Sequence, residues 1–175
     1  MQAEQLTLRG MYRDILMNGN LILFDSRWVP NTIVHRGRIL LAAFFKNDPS
    51  DGIQSLAVGQ GSPAWDTDGP PPPDASATTG LESRYTPVIP ISRLNVVYLD
   101  DGDEVVTGPT SRLQITSILE PGYPAPLPSL TSYPLREFGL FGRLNGTEYM
   151  INCIRHPVIH KDESATLIRA IRLYF

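Results

Sequence analysis

Apolar and polar residues alternate along this chain in short runs, and glycine, proline and asparagine separate the runs. A period of two bounded by such residues predicts β-strands joined by turns. The clearest block is Leu135 to Phe175, which reads as three strands. Its first connection holds Asn145-Gly146, the dipeptide suited to a type I′ hairpin because both central residues take positive φ. Its second runs through Lys161-Asp162-Glu163-Ser164, four polar residues between apolar runs. The sequence stops on Leu173-Tyr174-Phe175 with no polar tail, which predicts a last strand that is paired and buried.

The remainder follows the same logic. Residues 5–28 read as a hairpin: Leu6, Leu8 and Met11 to Ile15 lead into Asn18-Gly19-Asn20, and Leu21-Ile22-Leu23-Phe24 returns. A helix over 6–17 competes, since Leu, Met and Arg favour helices, but the Asn-Gly turn decides for the hairpin. From Arg36 the period changes. Ile39, Leu40, Ala43 and Phe44, with Leu41 and Phe45 beside them, make a wide apolar stripe on a helix over Arg38–Phe45. Asn47-Asp48-Pro49 ends it, and it is expected to cover one face of the sheet. Ile53 to Val58 and Leu94 to Leu99 read as buried strands, and Pro87 and Pro90 mark an edge or irregular start between them. Residues 104–107 and 113–119 continue the sheet.

Two connections are long and proline-rich. Residues 60–80 hold Pro63, Trp65 and the run Pro70, Pro71, Pro72 and Pro73; residues 120–134 read EPGYPAPLPSLTSYP. Such tracts favour polyproline II over helix or central strand. The expected fold is therefore mainly β (α+β), with about eight strands in all. It is an antiparallel β-sandwich or barrel-like domain with one packed α-helix and two long Pro-rich loops. Residues 1–175 are expected to form a single domain.

Composition narrows the classes of function. Fifteen basic residues against eighteen acidic ones give a net charge of −3, with the arginines scattered and only Lys46 and Lys161 as lysines. That argues against a nucleic-acid footprint, which needs clustered positive charge. No apolar run approaches the roughly 20 residues of a membrane span. The N-terminal residues show no secretory signal pattern. The lone Cys153, in an apolar run, reads as a buried inert thiol and excludes an internal disulfide or a cysteine-based zinc site.

Candidate chemistry is sparse. His156 and His160 have the spacing of a helical metal pair, but on a strand they stand roughly 13 Å apart, too far to share an ion. Asp100, Asp101, Asp103 and Glu104 resemble part of a calcium loop without its full spacing, and a solvated turn explains them. Gly59-Gln60-Gly61 lacks the third glycine and the lysine of a phosphate loop. Gly61-Ser62-Pro63 is no nucleophile elbow. Asn145-Gly146-Thr147 matches a glycosylation sequon and is better explained by turn chemistry. No catalytic, cofactor-binding or metal residue is expected. Trp65 has two readings: its indole pins the loop to the core, or it meets a partner.

Several stretches carry a likeness. Leu135-Arg136-Glu137-Phe138-Gly139-Leu140-Phe141-Gly142 resembles the "RE-x-GLF" strand of tail-collar fibre and baseplate-associated proteins of contractile-tailed phages. It also looks like that strand in the related bacterial contractile injection systems. Met150-Ile151-Asn152 with Arg155-His156-Pro157-Val158-Ile159 and Lys161-Asp162 is similar to the same group. So is Leu56 to Gly61 with Ala64-Trp65-Asp66 and the prolines that follow. The hairpin ending in Phe24-Asp25-Ser26 and the Arg38–Phe45 helix are also similar.

The resemblance implies a non-enzymatic structural subunit, a fibre, baseplate or collar adaptor, in a virion tail or contractile injection particle assembled in the bacterial cytoplasm. It implies a homo-oligomer, a trimer or multiple of three, in contact with other tail, baseplate or fibre proteins. Stiff proline arms lose little entropy on docking, so Trp65, Pro70, Pro71, Pro72, Pro73 and Tyr123 are the candidate subunit contacts. The alternative is a carbohydrate- or receptor-binding β-module at the tip of such a machine, using Trp28, Trp65, Tyr85 and Tyr123. A weaker third reading is a hydrolase on a β scaffold.

Overall fold

The computed structural model describes residues 8–125 and 132–175. The start of the first hairpin and the middle of the second Pro-rich connection lie outside the described residues. Among the described residues the chain is mainly antiparallel β. Its long strands are β1 (Arg9–Asn18), β4 (Ser50–Gly59), β8 (Arg112–Leu119), β9 (Ser132–Leu144), β11 (Asn152–Asp162) and β12 (Thr166–Tyr174). The shorter ones are β2 (Leu21–Asp25), β3 (Val29–Ile33), β5 (Ile89–Pro90), β6 (Asn95–Leu99), β7 (Val105–Val106) and β10 (Thr147–Met150). Helix α1 spans His35–Lys46, and a single turn, α2, spans Trp65–Asp68.

Hydrogen bonds join the strands into one sheet ordered β5-β4-β9-β11-β3-β1-β12-β8-β6-β7, with β10 on β9 and β2 on β1. The mainly β fold with a packed helix is as expected, and its strands form a single path that curls over itself. Strands β1 and β9 are three places apart, a separation of roughly 14 Å in a flat sheet. Yet the rings of Tyr12 and Phe138, one from each, meet edge to face at 5.5 Å. Arg169 of β12, one strand further on, lies 3.8 Å above the same Phe138 ring. The two halves of the sheet therefore close on one core, which holds Leu56, Phe138, Leu140, Ile115, Leu167 and Ile171.

The turns follow the local chemistry. Asn145 and Gly146 both have positive φ, 50° and 79°, as a type I′ turn requires. At the first hairpin only Gly19 of the pair Gly19-Asn20 does, with φ 55°. Asp162 holds the last turn: its Oδ1 accepts from the backbone N–H of Ser164 and Ala165, both at 2.8 Å. Strand β12 is paired on both sides, with β1 and β8, and buries alternate residues, while Phe175 beyond it is exposed. Helix α1 ends on Asn47 in the left-handed conformation, at the Asn47-Asp48-Pro49 stop.

Three expectations need correction. The closing block contains four strands, because the ladder is interrupted between β10 and β11 at Ile151, whose N–H still reaches the Leu140 carbonyl while its own carbonyl turns to accept from Val34. The described residues hold twelve strands in place of about eight, since short edge strands add to the long ones. Residues 94–99 were expected to be buried, yet only Leu99 is fully so. β6 lies next to the sheet's outermost strand, and one of its faces is left bare.

Strand β9 is buried on both faces. One face looks into the main core; the other carries Phe141 into a second cluster with Val34, Ala57, Met150 and Cys153. Its partner β11 carries a bulge between Arg155 and Ile159. Pro157 sits in that bulge, where a missing N–H costs no ladder hydrogen bond, and His156 turns inward beside it.

Candidate interaction surface

The first Pro-rich loop is strapped to its own sheet. Arg136 of β9 donates to both carboxylate oxygens of Asp66, at 2.7 and 2.6 Å, and to the Gln60 carbonyl at 2.8 Å. Its neighbour Glu137, fully buried, accepts from the backbone N–H of Glu82 and Ser83 at 3.0 and 2.7 Å. Arg84 pairs with Glu148 at 2.6 Å and lies over the Phe141 ring. The Arg136 hydrogen bond holds the Asp66 carboxyl below its ordinary range.

These contacts locate the residues singled out from sequence. Trp65 is buried: its ring packs so closely on Gly61, which has a positive φ of 56°, that a Cβ there would run into the indole, and Arg155 stacks over it. Arg155 also donates to the Pro71 carbonyl at 3.3 Å. Pro70 and Pro73 are half-buried, and Pro71 and Pro72 are exposed. Tyr123 is half-buried and donates to the Pro87 carbonyl at 2.8 Å. The indole of Trp65 and the hydroxyl of Tyr123 thus make contacts within their own chain, and Pro71 and Pro72 keep open surface. The other aromatics are dispersed: Trp28 stacks under Arg172, and Tyr85 packs edge-on against Tyr133.

The remaining candidate chemistry has structural partners. Cys153 is buried, and burial pushes its thiol up to about 12. His156 is buried within the β11 bulge, and His160, just past it, is exposed. The Asp100 side chain caps its own turn, accepting from the N–H of Gly102 and Glu104 at 2.8 and 3.0 Å. Asp103 faces Arg112, Arg172 and Tyr174. Among the described residues, no group of three or more His, Cys, Asp or Glu could hold a metal ion, and no helix is long and apolar enough to cross a membrane.

What stands open is apolar surface in two places. Strand β2 forms a ridge. Leu21, Ile22, Leu23 and Phe24 are 64, 57, 51 and 43% exposed, so side chains pointing to both faces of the strand are in solvent. Its hydrogen-bonded neighbour is β1, leaving its other edge free among the described residues. The second place is a groove of about 400 Å³ between α1 and the β6 side of the sheet. Leu40, Leu41 and Phe44 of α1 form one wall; Ile91, Val96, Tyr98 and Phe175 form much of the other. On its rim Phe44 and Phe45 are 66 and 79% exposed. The helix sits close enough to form this wall because Gly37 rests directly on the Ile151 backbone.

Sequence reasoning passed over both places. The Leu21–Phe24 run was visible as apolar, but periodicity does not say on whose surface a strand is buried. The doublet Phe44-Phe45 carried a similar signal, since two adjacent helical residues point about 100° apart and cannot both face one sheet.

Comparison with known proteins adds no relative: no family model matches the chain, and neither a curated protein nor a solved structure matches it. Fold and surface define a mainly antiparallel β protein with one packed helix and exposed apolar patches.

Proposed function

We propose that this protein is a non-enzymatic structural subunit of a phage tail or contractile injection apparatus. In that role it acts as a fibre, baseplate or collar adaptor through contacts with copies of itself and with neighbouring subunits. The observation that carries this reading is the pair of open apolar surfaces, the β2 ridge and the α1 groove, on a curled sheet. Contiguous exposed apolar surface on a folded domain marks a contact site, because leaving it in water forgoes about 25 cal/mol per Å². The strap across β9 supports the reading too. Its ion pairs and buried carboxylate hold the proline-rich segment against the sheet, so such a scaffold meets its neighbours without reordering. The likeness of the LREFGLFG strand to tail-collar and baseplate-associated proteins is what supports choosing that kind of machine.

The test is electron microscopy of tail-like particles from cells expressing this subunit with a tag. Density or gold label at a fixed position in the tail, lost when the tagged gene is deleted, is the expected result. Particles that assemble in full without the subunit, and never carry it, would sink the reading.

A further inference from the structure

We propose that copies of this chain associate head to tail, the β2 ridge of one copy seated in the α1 groove of the next. This rests on the structural-subunit reading and specifies its self-contact.

The two surfaces lie at opposite ends of one ladder. Leu8 and Leu173 line the groove beside the pair Arg9–Tyr174, where β1 and β12 begin their pairing. The ridge pairs with Ile15 to Asn18 at the far end of β1. Eight residues of strand at about 3.4 Å each put roughly 27 Å between them, so a molecule does not fill its own groove with its own ridge.

Shape and area fit a second copy. The ridge is a narrow ribbon with apolar side chains on both faces, which only a concave partner covers. The groove is concave, and among the described residues Asp51 is the one charged residue lining it. An exposed cation, Arg27, stands just beyond the ridge, paired at 3.4 Å with the partly buried Asp25 of its own chain. With ordinary residue areas, the ridge, the rim residues Phe44 and Phe45 and the exposed wall residues Ile91, Val96, Tyr98 and Phe175 together expose about 1,000 Å², the lower bound for a specific interface.

A ridge meeting a groove is a heterologous contact. Each copy keeps one unused half, so repetition gives a ring where the rotation closes and a stack where it does not.

The experiment uses the full chain and two surface variants, Leu23→Glu in the ridge and Phe44→Glu in the groove. Both sites are at least half exposed, so folding is retained, and a thermal melt checks it. Masses are read by sedimentation or light scattering at up to about 100 µM, where a contact of this size is populated. The wild type is expected to form oligomers larger than a dimer. Each variant alone is expected to be a monomer, its association weakened about 100-fold by a buried carboxylate. An equimolar mixture of the two is expected to form a one-to-one dimer and stop, because it contains one intact ridge facing one intact groove.

Phe44→Glu dimerising by itself would show ridge-to-ridge pairing and overturn the proposal. Wild-type oligomers persisting in both variants would overturn it as well. A wild-type monomer at every concentration, found nevertheless in particles, would overturn the head-to-tail contact and leave the structural-subunit reading intact.

Discussion

Asp14 and Arg169 stand directly opposite one another in the β1–β12 ladder and form a two-point ion pair with no solvent exposure. Nε meets Oδ1 at 3.0 Å and Nη2 meets Oδ2 at 3.1 Å. Both occupy core-facing positions in otherwise apolar alternations, Tyr12-x-Asp14-x-Leu16 and Leu167-x-Arg169-x-Ile171. The guanidinium lies on the face of Phe138, and its Nη2 also reaches His156 Nε2 at 2.6 Å. Charge, ring and imidazole therefore tie β1, β9, β11 and β12 together at the centre of the curled sheet.

Removing one partner leaves the other charged and buried. Asp14→Asn is expected to lower unfolding free energy by about 3–5 kcal/mol, the usual cost of breaking a buried pair. The double variant Asp14→Leu, Arg169→Met restores an apolar core and is expected to cost less than either single change. Denaturant titrations of Asp14→Asn, Arg169→Met and the double variant check both statements. A double variant as unstable as the sum of the singles would mean that the two side chains are not coupled and that the buried pair is not what makes each single change costly.

A pH dependence follows from His156. Its Nδ1 lies 2.7 Å from the Pro157 carbonyl and must donate to it, which leaves Nε2 to accept from Arg169. The ring is therefore neutral, and burial, reinforced by the Arg169 charge, holds its pKa well below 6.5. Asp14 and Tyr12 face it from β1, and Asp25 lines the same small cavity. In the unfolded chain the imidazole takes a proton near pH 6.5, and in the folded chain it does so only well below that. The contribution to stability is thus complete above about 6.5 and declines as pH falls further, by up to about 1.4 kcal/mol per unit. His156→Gln, compared with wild type by chemical denaturation between pH 7.5 and 5, is expected to flatten that decline. Parallel curves would remove His156 as its source.

Glu137 governs the strap. Its carboxylate takes up two backbone N–H groups, of Glu82 and Ser83, that no other acceptor reaches among the described contacts. Glu137→Ala is expected to cost about 1–3 kcal/mol and to free residues 60–84 from the sheet, seen as faster hydrogen exchange and proteolysis there. Glu137→Gln keeps one acceptor oxygen and is expected to fall between. Trp65 fluorescence should shift to the red in the alanine variant, since the indole is held beneath the same strap.

How far this was legible in the sequence depends on the kind of interaction. The local features were readable: Asn145-Gly146, Gly19, the α1 stripe with its Asn47 stop, and the Pro-rich breaks all act through φ and neighbouring residues. Curling of the sheet was not, because it rests on Phe138 meeting Tyr12 across strands that neither hairpin turns nor periodicity relate. The Asp14–Arg169 pair left a faint trace, one charge interrupting each of two apolar alternations, but nothing local says that these two charges are opposite. For Trp65 the sequence held two readings, and the contacts from Arg155 and Gly61 supply the first, a ring pinned to its own chain. The Leu21–Phe24 run was visible and its exposure was not, since an apolar strand is equally consistent with burial in its own core or in another molecule.

Gly37 connects the packing of α1 with the proposed self-contact. A Cβ at that position would lie 2.5 Å from the Ile151 carbonyl oxygen and 2.9 Å from its Cα, both backbone atoms that cannot swing aside. Helix propensity alone would make Gly37→Ala stabilising by about 1 kcal/mol. The clash opposes this with the roughly 1–3 kcal/mol of an overpacked site, so a net loss is expected. The helix has to lift from the sheet, carrying Leu41 and Phe44 with it and widening the groove they wall. Gly37→Ala should therefore weaken self-association while the β2 ridge is untouched, and mixing it with Phe44→Glu, whose ridge must seat in the altered groove, should give fewer dimers than mixing Leu23→Glu with Phe44→Glu. Association of the Gly37→Ala chain at wild-type strength, measured by sedimentation on protein shown to be folded, would mean that the wall of the groove takes no part in the contact.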